Sequence, residues 1–353
     1  MKHHRLNYDI SADVAQLIER SHVNLQLLRG RTVFLTGGTG FFGVWFLSAL
    51  LRIRFILNGD LNLVVLSRDP EKFLKDYSTF GFQSHIKFVK GDVRDFKIAD
   101  LEITDLVHMA TTNASETYAG EDQLHKLDML YRGTRNVLEQ CGESLERVLF
   151  TSSGVVYGNT TKELISEDDP VGPATTELGS ALAIGKLAAE YTLAYYAGKY
   201  RFNYAIARCF AFAGQYLPLD LHYAFGNFIA NAISGEEIVI KGDGKDKRSY
   251  LYIGDAIAWM LRLLAEPNNQ IYNIGSPNAI SMESLARKIA NQSEKRIGVS
   301  IRGGVSEVGN FRRSSYTPMT SKVIDSYSGL AEWTTLDEII KKMISCQKIA
   351  PSA

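Results

Sequence analysis

The sequence predicts an α/β protein whose core is a doubly wound parallel sheet, with a smaller α/β domain after it. Three observations predict this. Short β-branched and apolar runs alternate with stretches of helical periodicity from residue 31 to residue 207, and repeated βα units join into a parallel sheet through right-handed crossovers. The first run opens directly into a glycine-rich turn, Thr36-Gly37-Gly38-Thr39-Gly40-Phe41-Phe42-Gly43, and then into a helical stretch. After about residue 208 the rhythm loses its regularity, which marks a change of architecture.

Residues 1–30 read as an N-terminal helical extension, because Val14, Leu17, Ile18, Leu25 and Leu28 recur at helical spacing over residues 11–28, opened by a serine and closed by Gly30. In the first domain, 31–207, strands are expected at 32–35, 61–66, 86–89, 106–109, 147–151 and 203–207, separated by helices such as 41–53 and 124–141. The second domain, 208–350, is expected to intertwine with the first. It carries a loop at 214–223, a helix at 225–234, a strand at 238–240, a Gly242-Asp243-Gly244 turn and helices at 253–264 and 282–292. Thr335 with Glu338 forms a capping box for a last helix.

Composition narrows the classes of partner. Thirty-nine basic residues balance 39 acidic ones, so no net charge draws the chain to nucleic acid or to an anionic membrane. No run approaches the roughly 18 apolar residues of a membrane span, and the opening Met1-Lys2-His3-His4-Arg5 continues into polar residues, with His3 and His4 reading as solvated. Cys141, Cys209 and Cys346 are odd in number and lack metal-ligand spacing. These features predict a cytoplasmic protein without a bound metal.

In the glycine turn Gly37 permits the tight bend, Gly40 lets the backbone approach a pyrophosphate at the helix N-terminus, and Gly43 allows close helix-to-strand packing. With Phe41 and Phe42 this reads as the dinucleotide site of a Rossmann sheet. The second strand ends in Leu66-Ser67-Arg68-Asp69, where an acidic residue alone would suit a free ribose 2′-hydroxyl. Ser67 and Arg68 lean toward a 2′-phosphate and NADP, while Asp69 keeps NAD open.

Lys90-Gly91-Asp92-Val93 follows the third strand and Val107-His108-Met109-Ala110-Thr111 ends the fourth. With these motifs the chain resembles the extended short-chain dehydrogenases/reductases of the NAD-dependent nucleotide-sugar epimerase/dehydratase family, over roughly residues 31–345. The resemblance implies that Asp92 and Val93 flank the adenine and that Ala110 and Thr111 line the nicotinamide-side diphosphate. His108 reads as a structural strand residue. In Thr151-Ser152-Ser153-Gly154-Val155-Val156-Tyr157-Gly158, Ser153 matches the family serine that hydrogen-bonds the sugar oxygen being oxidised, and Tyr157 a packing residue. Related 4,6-dehydratases carry an acid and a base at the next two positions. Gly154 and Val155 can move no proton, which disfavours that reaction.

The family also places a tyrosine one helical turn before a lysine, whose charge lowers the phenol pKa. Here Lys186 is present, expected to hold the nicotinamide ribose, and Leu182 stands at the tyrosine position. Tyr191, Tyr195 and Tyr196 read as packing residues. Leu130 and Ala211 replace asparagines common in the family, so the site looks remodelled at several points. On the substrate side the resemblance assigns Arg248, in Arg248-Ser249-Tyr250-Leu251-Tyr252, to the diphosphate of a nucleoside-diphosphate sugar, with Asn227 and Arg312 or Arg313 as further contacts. It further implies a homodimer.

The leading expectation is therefore an NAD(P)-dependent enzyme acting at C4 of a nucleoside-diphosphate sugar. Two alternatives stay open: a catalytically silent protein that binds cofactor and nucleotide sugar, and an NADP-dependent ketone reductase.

Overall fold

The computed structural model describes residues 8–98, 101–112, 122–219, 223–303 and 315–345. Its centre is a seven-stranded parallel sheet in the order β11-β6-β5-β4-β1-β2-β3. Six strands come from the first part of the chain: β1 Arg31–Thr36, β2 Leu61–Ser67, β3 Lys87–Lys90, β4 Asp105–His108, β5 Arg147–Ser153 and β6 Asn203–Cys209. Each falls within two residues of its expected place at either end. The seventh, β11 (Gln270–Ile274), returns from far down the chain to pair with β6, so the later half closes the sheet edge that the earlier half leaves open.

Strand order reverses between β1 and β4, since β1 leads to β2 and β3 on one side and the chain then crosses to β4 on the other. That crevice is where an open α/β sheet accepts ligands. Helix α2 (Phe41–Ile56) leaves it and buries Val44, Trp45, Phe46, Leu47, Ala49, Leu50 and Ile53 against one face of the sheet. Helices α4 (Gln123–Cys141) and α5 (Ala181–Tyr200) pack together on the other face, after the short α3 (Pro70–Asp76).

The N-terminal extension departs from the expected single helix over 11–28. Helix α1 (Ser11–Ser21) ends early, His22 takes a left-handed conformation (φ 50°), and a separate 3₁₀ turn, Leu25–Leu28, starts where the Asn24 side chain accepts the Gln26 N–H. The polar stretch Ser21–Asn24 satisfies its own backbone locally, with Val23 N–H donating to Ser21 Oγ, and so breaks a helix that apolar spacing alone would continue.

Beyond β6 the chain forms a short parallel pair, β7 (Phe212–Ala213) and β10 (Leu251–Tyr252), together with α6 (Ala224–Ser234), the buried α7 (Ile253–Ala265) and α8 (Met282–Gln292), and a second pair, β8 (Ile238–Ile240) and β13 (Val299–Ile301). A three-stranded sheet holds β9 (Lys247–Ser249) between β12 (Ala279–Ser281) and β14 (Ser315–Tyr316). The last helix, Leu336–Ser345, has the capping box expected of it: Thr335 N–H donates to Glu338 Oε2 at 2.7 Å and Glu338 N–H to Thr335 Oγ1 at 3.3 Å. Among the described residues no helix is long and apolar enough to cross a membrane.

One buried ion pair ties these layers together. Arg147 Nε donates to Asp105 Oδ1 at 2.5 Å across β5 and β4, while its other nitrogens donate to the carbonyls of Ala265, at the end of α7, and Leu27 in the N-terminal turn. Burial pushes the Asp105 carboxyl up, and the Arg147 charge opposes that shift. Arg147→Ala should therefore cost about 3–5 kcal/mol in urea unfolding, because it strands a buried carboxylate, and the apolar pair Asp105→Leu/Arg147→Met should recover most of the loss.

Candidate active site

The carboxyl ends of β1, β2, β3, β4 and β5 carry most of the residues singled out in the sequence. Gly37 adopts φ +71°, and a Cβ there would stand 2.7 Å from the Met109 carbonyl, so the turn after β1 lies directly on the end of β4. At Gly43 a Cβ would lie 2.2 Å from the Gly38 carbonyl, which lets α2 begin tight against the turn. Gly40, the N-cap of α2, has only the Gly37 oxygen near its missing Cβ, at 3.5 Å. The turn thus leaves an open cradle beside the unsatisfied N–H groups of a sixteen-residue helix, and these residues fit the pyrophosphate of a dinucleotide. Phe41 and Phe42 occupy the first turn, with Phe42 edge-on to Phe212 at 4.9 Å.

A continuous chain of hydrogen bonds forms the floor of the crevice. Ala110 N–H donates to Thr36 Oγ1 (3.2 Å), Thr36 Oγ1 meets His108 Nδ1 (2.5 Å), His108 Nε2 meets Thr134 Oγ1 (2.8 Å), and Thr134 donates to the Leu130 carbonyl (2.7 Å). The Thr134 proton is committed to that carbonyl, so Nε2 must carry the ring proton and Nδ1 accepts from Thr36. Burial, with the Lys186 charge adding to it, lowers the His108 pKa to about 3. The histidine is a neutral strut that fixes the Ala110 amide, as its structural reading requires.

At the end of β2, Ser67 is buried and its Oγ accepts the Asp69 N–H, while the Asp69 carboxylate caps α3 by accepting the Lys72 N–H. Arg68 is exposed. Asp92 is held by Arg94 through Nε (2.7 Å) and Nη2 (3.2 Å), and that contact keeps its carboxyl below the usual range, with a smaller contribution from Arg68. Val93 is buried beneath Gly133, and Thr111 is exposed beyond the end of β4.

On β5 the alternation of side chains separates two serines. Ser152 points inward and donates to Glu190 Oε1, whereas Ser153 is partly exposed and its Oγ accepts the Val155 N–H at 3.3 Å. That amide occupies a lone pair of Ser153 and leaves its proton for a ligand. Lys186, on α5, is 4% exposed; its ammonium donates to the Thr151 carbonyl at 2.6 Å and lies 5.0 Å above the Phe150 ring. Burial lowers its pKa to about 8, against the opposing influence of Cys209 and Glu190.

Leu182 packs against the core cluster that contains Leu130, and Leu130 sits where a Cβ on Gly185 would come within 2.7 Å of it. Both side chains serve helix packing. Tyr191 and Tyr195 are exposed and Tyr196 bonds Glu139, as packing or surface residues do.

Two features were not read from the sequence. Glu190 and Arg208 form a buried bidentate pair (3.1 and 2.8 Å), with the guanidinium 4.8 Å from the Tyr157 ring centroid; the spacing of Glu190 four residues after Lys186 was the available signal. Tyr316 reaches the end of β5 from β14, and no local pattern announces it.

On the substrate side, Arg248 lies on β9, donates to its neighbour's carbonyl at 2.7 Å, and stands in register with Ile280 and Tyr316. Asn227 lies in the first turn of α6. Arg312 and Arg313 fall outside the described residues. Among the described residues no group of three metal-ligating side chains is clustered.

A parallel sheet with this glycine turn and strand order defines a dinucleotide-binding protein. The profile of the NAD dependent epimerase/dehydratase family matches residues 33–275. The chain belongs to that family. It is 25% identical over 298 residues to UDP-glucuronic acid decarboxylase 2 of Arabidopsis thaliana, covering 82% of this chain and 63% of that protein. It is 30% identical over 172 residues to UDP-N-acetyl-alpha-D-glucosaminuronate decarboxylase of Bacillus cytotoxicus, covering 48% and 53%. The chain thus aligns with less than two thirds of the length of these two relatives. The fold is similar to that of the UDP-N-acetylglucosamine 4-epimerase of Methanobrevibacter ruminantium, with a TM-score of 0.75, 20% identity, and 90% and 98% of the two chains covered.

The His108 strut carries a pH signature. Its folded pKa of about 3 lies below the ordinary histidine value of 6.5, so the unfolded chain binds the proton first and the stabilisation, complete above 6.5, is lost as pH falls toward 3. Urea midpoints measured from pH 7 to pH 4 should fall more steeply for the wild type than for His108→Gln, by the contribution of one proton.

Proposed function

We propose that the chain is an NAD-dependent enzyme that oxidises C4 of a nucleoside-diphosphate sugar. The observation that carries this reading is the meeting of three elements at one place: the glycine cradle on β4, the outward hydroxyl of Ser153 on β5, and the β9–β14 strand pair that bears Arg248 and reaches Gly154 through Tyr316. Bound NAD supplies the hydride acceptor. Ser153 binds the C4 oxygen, the Lys186 ammonium faces the nicotinamide ribose with the N–H groups that Thr151 leaves over, and Arg248 grips the diphosphate, assisted by Asn227.

NAD is favoured over NADP. Ser67 already engages its hydroxyl, and Arg68 acts on Asp92, so a 2′-phosphate near Arg68 would also meet that carboxylate. The family's description as NAD dependent points the same way, against the lean of Ser67 and Arg68 toward NADP.

The sugar class follows from what the site lacks. Gly154 and Val155 cannot eliminate water between C5 and C6. In a uronic acid, by contrast, a C4 ketone lies β to the carboxylate, which can leave as carbon dioxide without a base at C5. Nucleoside-diphosphate uronic acids are therefore the first substrates to test, and both of the relatives compared above carry decarboxylase names. A homodimer through α4 and α5 belongs to the same reading, because Leu124, Tyr131, Tyr191 and Tyr195 expose apolar surface on those helices.

Leu182 favours a second reading, a silent binder of cofactor and nucleotide sugar. Incubation with NAD and a panel of UDP-sugars including UDP-glucuronic acid, followed by NMR, separates the two. Turnover that falls by about 10²-fold or more in Ser153→Ala supports the enzyme; no turnover with any sugar contradicts it. Arg248→Ala should weaken UDP binding by calorimetry by about 10-fold or more, the loss expected of a hydrogen bond to a charged group.

A further inference from the structure

We propose that Tyr316 is the proton-transfer residue for the sugar C4 hydroxyl, a phenol delivered from β14 in place of the one that Leu182 does not supply. The proposal deepens, and rests on, the assignment of Ser153 to the C4 oxygen. Its geometric basis is the space above Gly154. A Cβ at Gly154 would stand 2.7 Å from Tyr316 Oη and 2.8 Å from Phe210 Cζ, so the phenol oxygen lies over the residue next to Ser153. It occupies the space that a side chain at 154 would otherwise take, so a larger residue there would have to displace the tips of Tyr316 and Phe210.

The phenol is held by packing. Its ring lies 4.7 Å from Phe210 at 36°, on a small cluster of Val156, Tyr157 and Ile165. The strand behind it is pinned, since Ile165 N–H donates to the Thr317 carbonyl at 2.9 Å and Met319 N–H to the Ile165 carbonyl at 2.8 Å. Tyr316 is the register partner of Arg248 in the parallel pair β14–β9, and partners in register project to one face of a sheet. Arg248 and the Tyr316 phenol thus share one side of this small sheet, and the phenol lies over the residue that follows Ser153. Tyr316 as a residue is half-buried and packs against this cluster from its edge.

NAD⁺ held at the glycine turn would take up the C4 hydride in the oxidative step, and the residues of this site handle the hydroxyl proton. The O4–H bond breaks, and its proton passes by way of Ser153 Oγ to Tyr316 Oη, whose own proton passes to water. The C4 carbonyl forms, and one proton is released. On reduction the same path returns the proton from Tyr316 to O4.

The test uses the full chain loaded with NAD and mixed in a stopped flow with UDP-glucuronic acid, UDP-glucose or UDP-N-acetylglucosamine, reading NADH absorbance. Tyr316→Phe should slow NADH formation by about 10²- to 10⁴-fold. Calorimetric affinities for NAD and UDP should stay at the wild-type values, and adding Leu182→Tyr to Tyr316→Phe should restore part of the rate. A wild-type rate in Tyr316→Phe overturns the proposal and leaves the functional reading standing. Loss of rate together with loss of UDP affinity also overturns it, because Tyr316 then serves binding. No NADH from the wild type with any of the three sugars overturns the functional reading, and this inference with it.

Discussion

The carboxyl ends of β1, β4 and β5 can meet because side-chain atoms are missing there. A Cβ at Gly37 would collide with the Met109 carbonyl at 2.7 Å, one at Gly43 with the Gly38 carbonyl at 2.2 Å, and one at Gly154 with Tyr316 at 2.7 Å. At Gly37 and Gly43 the opposing atoms are backbone, which cannot yield as the side-chain tips over Gly154 can. The first two absences let the glycine turn lie on β4 and start α2 close to it, which aims free N–H groups at the crevice. The third brings a strand of the later half of the chain onto the end of β5.

Around this close backbone packing the buried polar groups are paired, so the floor of the site is rigid. The neutral His108 strut joins β1, β4 and α4, and the Glu190–Arg208 pair takes up Ser152 beside it. Lys186 is the buried cation nearest Phe150 and Thr151, and its pKa of about 8 reflects the cost of removing an ammonium from water. Leu182 and Leu130 pack between the helices, and the polar groups near them at the end of β5 include Ser153, Lys186 and the phenol over Gly154.

Much of the sheet was legible in the sequence because its signals are local. A buried parallel strand is a short apolar run, the glycine turn follows the first of them, and the capping box at Thr335 and Glu338 is a four-residue pattern. What escaped depends on contacts distant in sequence or on competition within a turn. The helix expected over 11–28 breaks at His22 because Ser21 and Asn24 bond nearby amides, which apolar spacing does not report. Strand β11 joins β6 across more than sixty residues of chain, and Tyr316 meets Gly154 only once β14 has paired with β9. Glycine at 154 reads from the sequence as a lost acid; in three dimensions it is also the opening that admits a phenol.

The measurement that tests the account most directly is a crystal structure of the protein with NAD and UDP-glucose bound. The account predicts the sugar O4 about 2.6–3.2 Å from Ser153 Oγ, with Tyr316 Oη in contact with the same oxygens directly or through one water. A sugar whose C4 hydroxyl turns toward Leu182, or a Tyr316 ring displaced from Gly154 by the bound ligand, would contradict it.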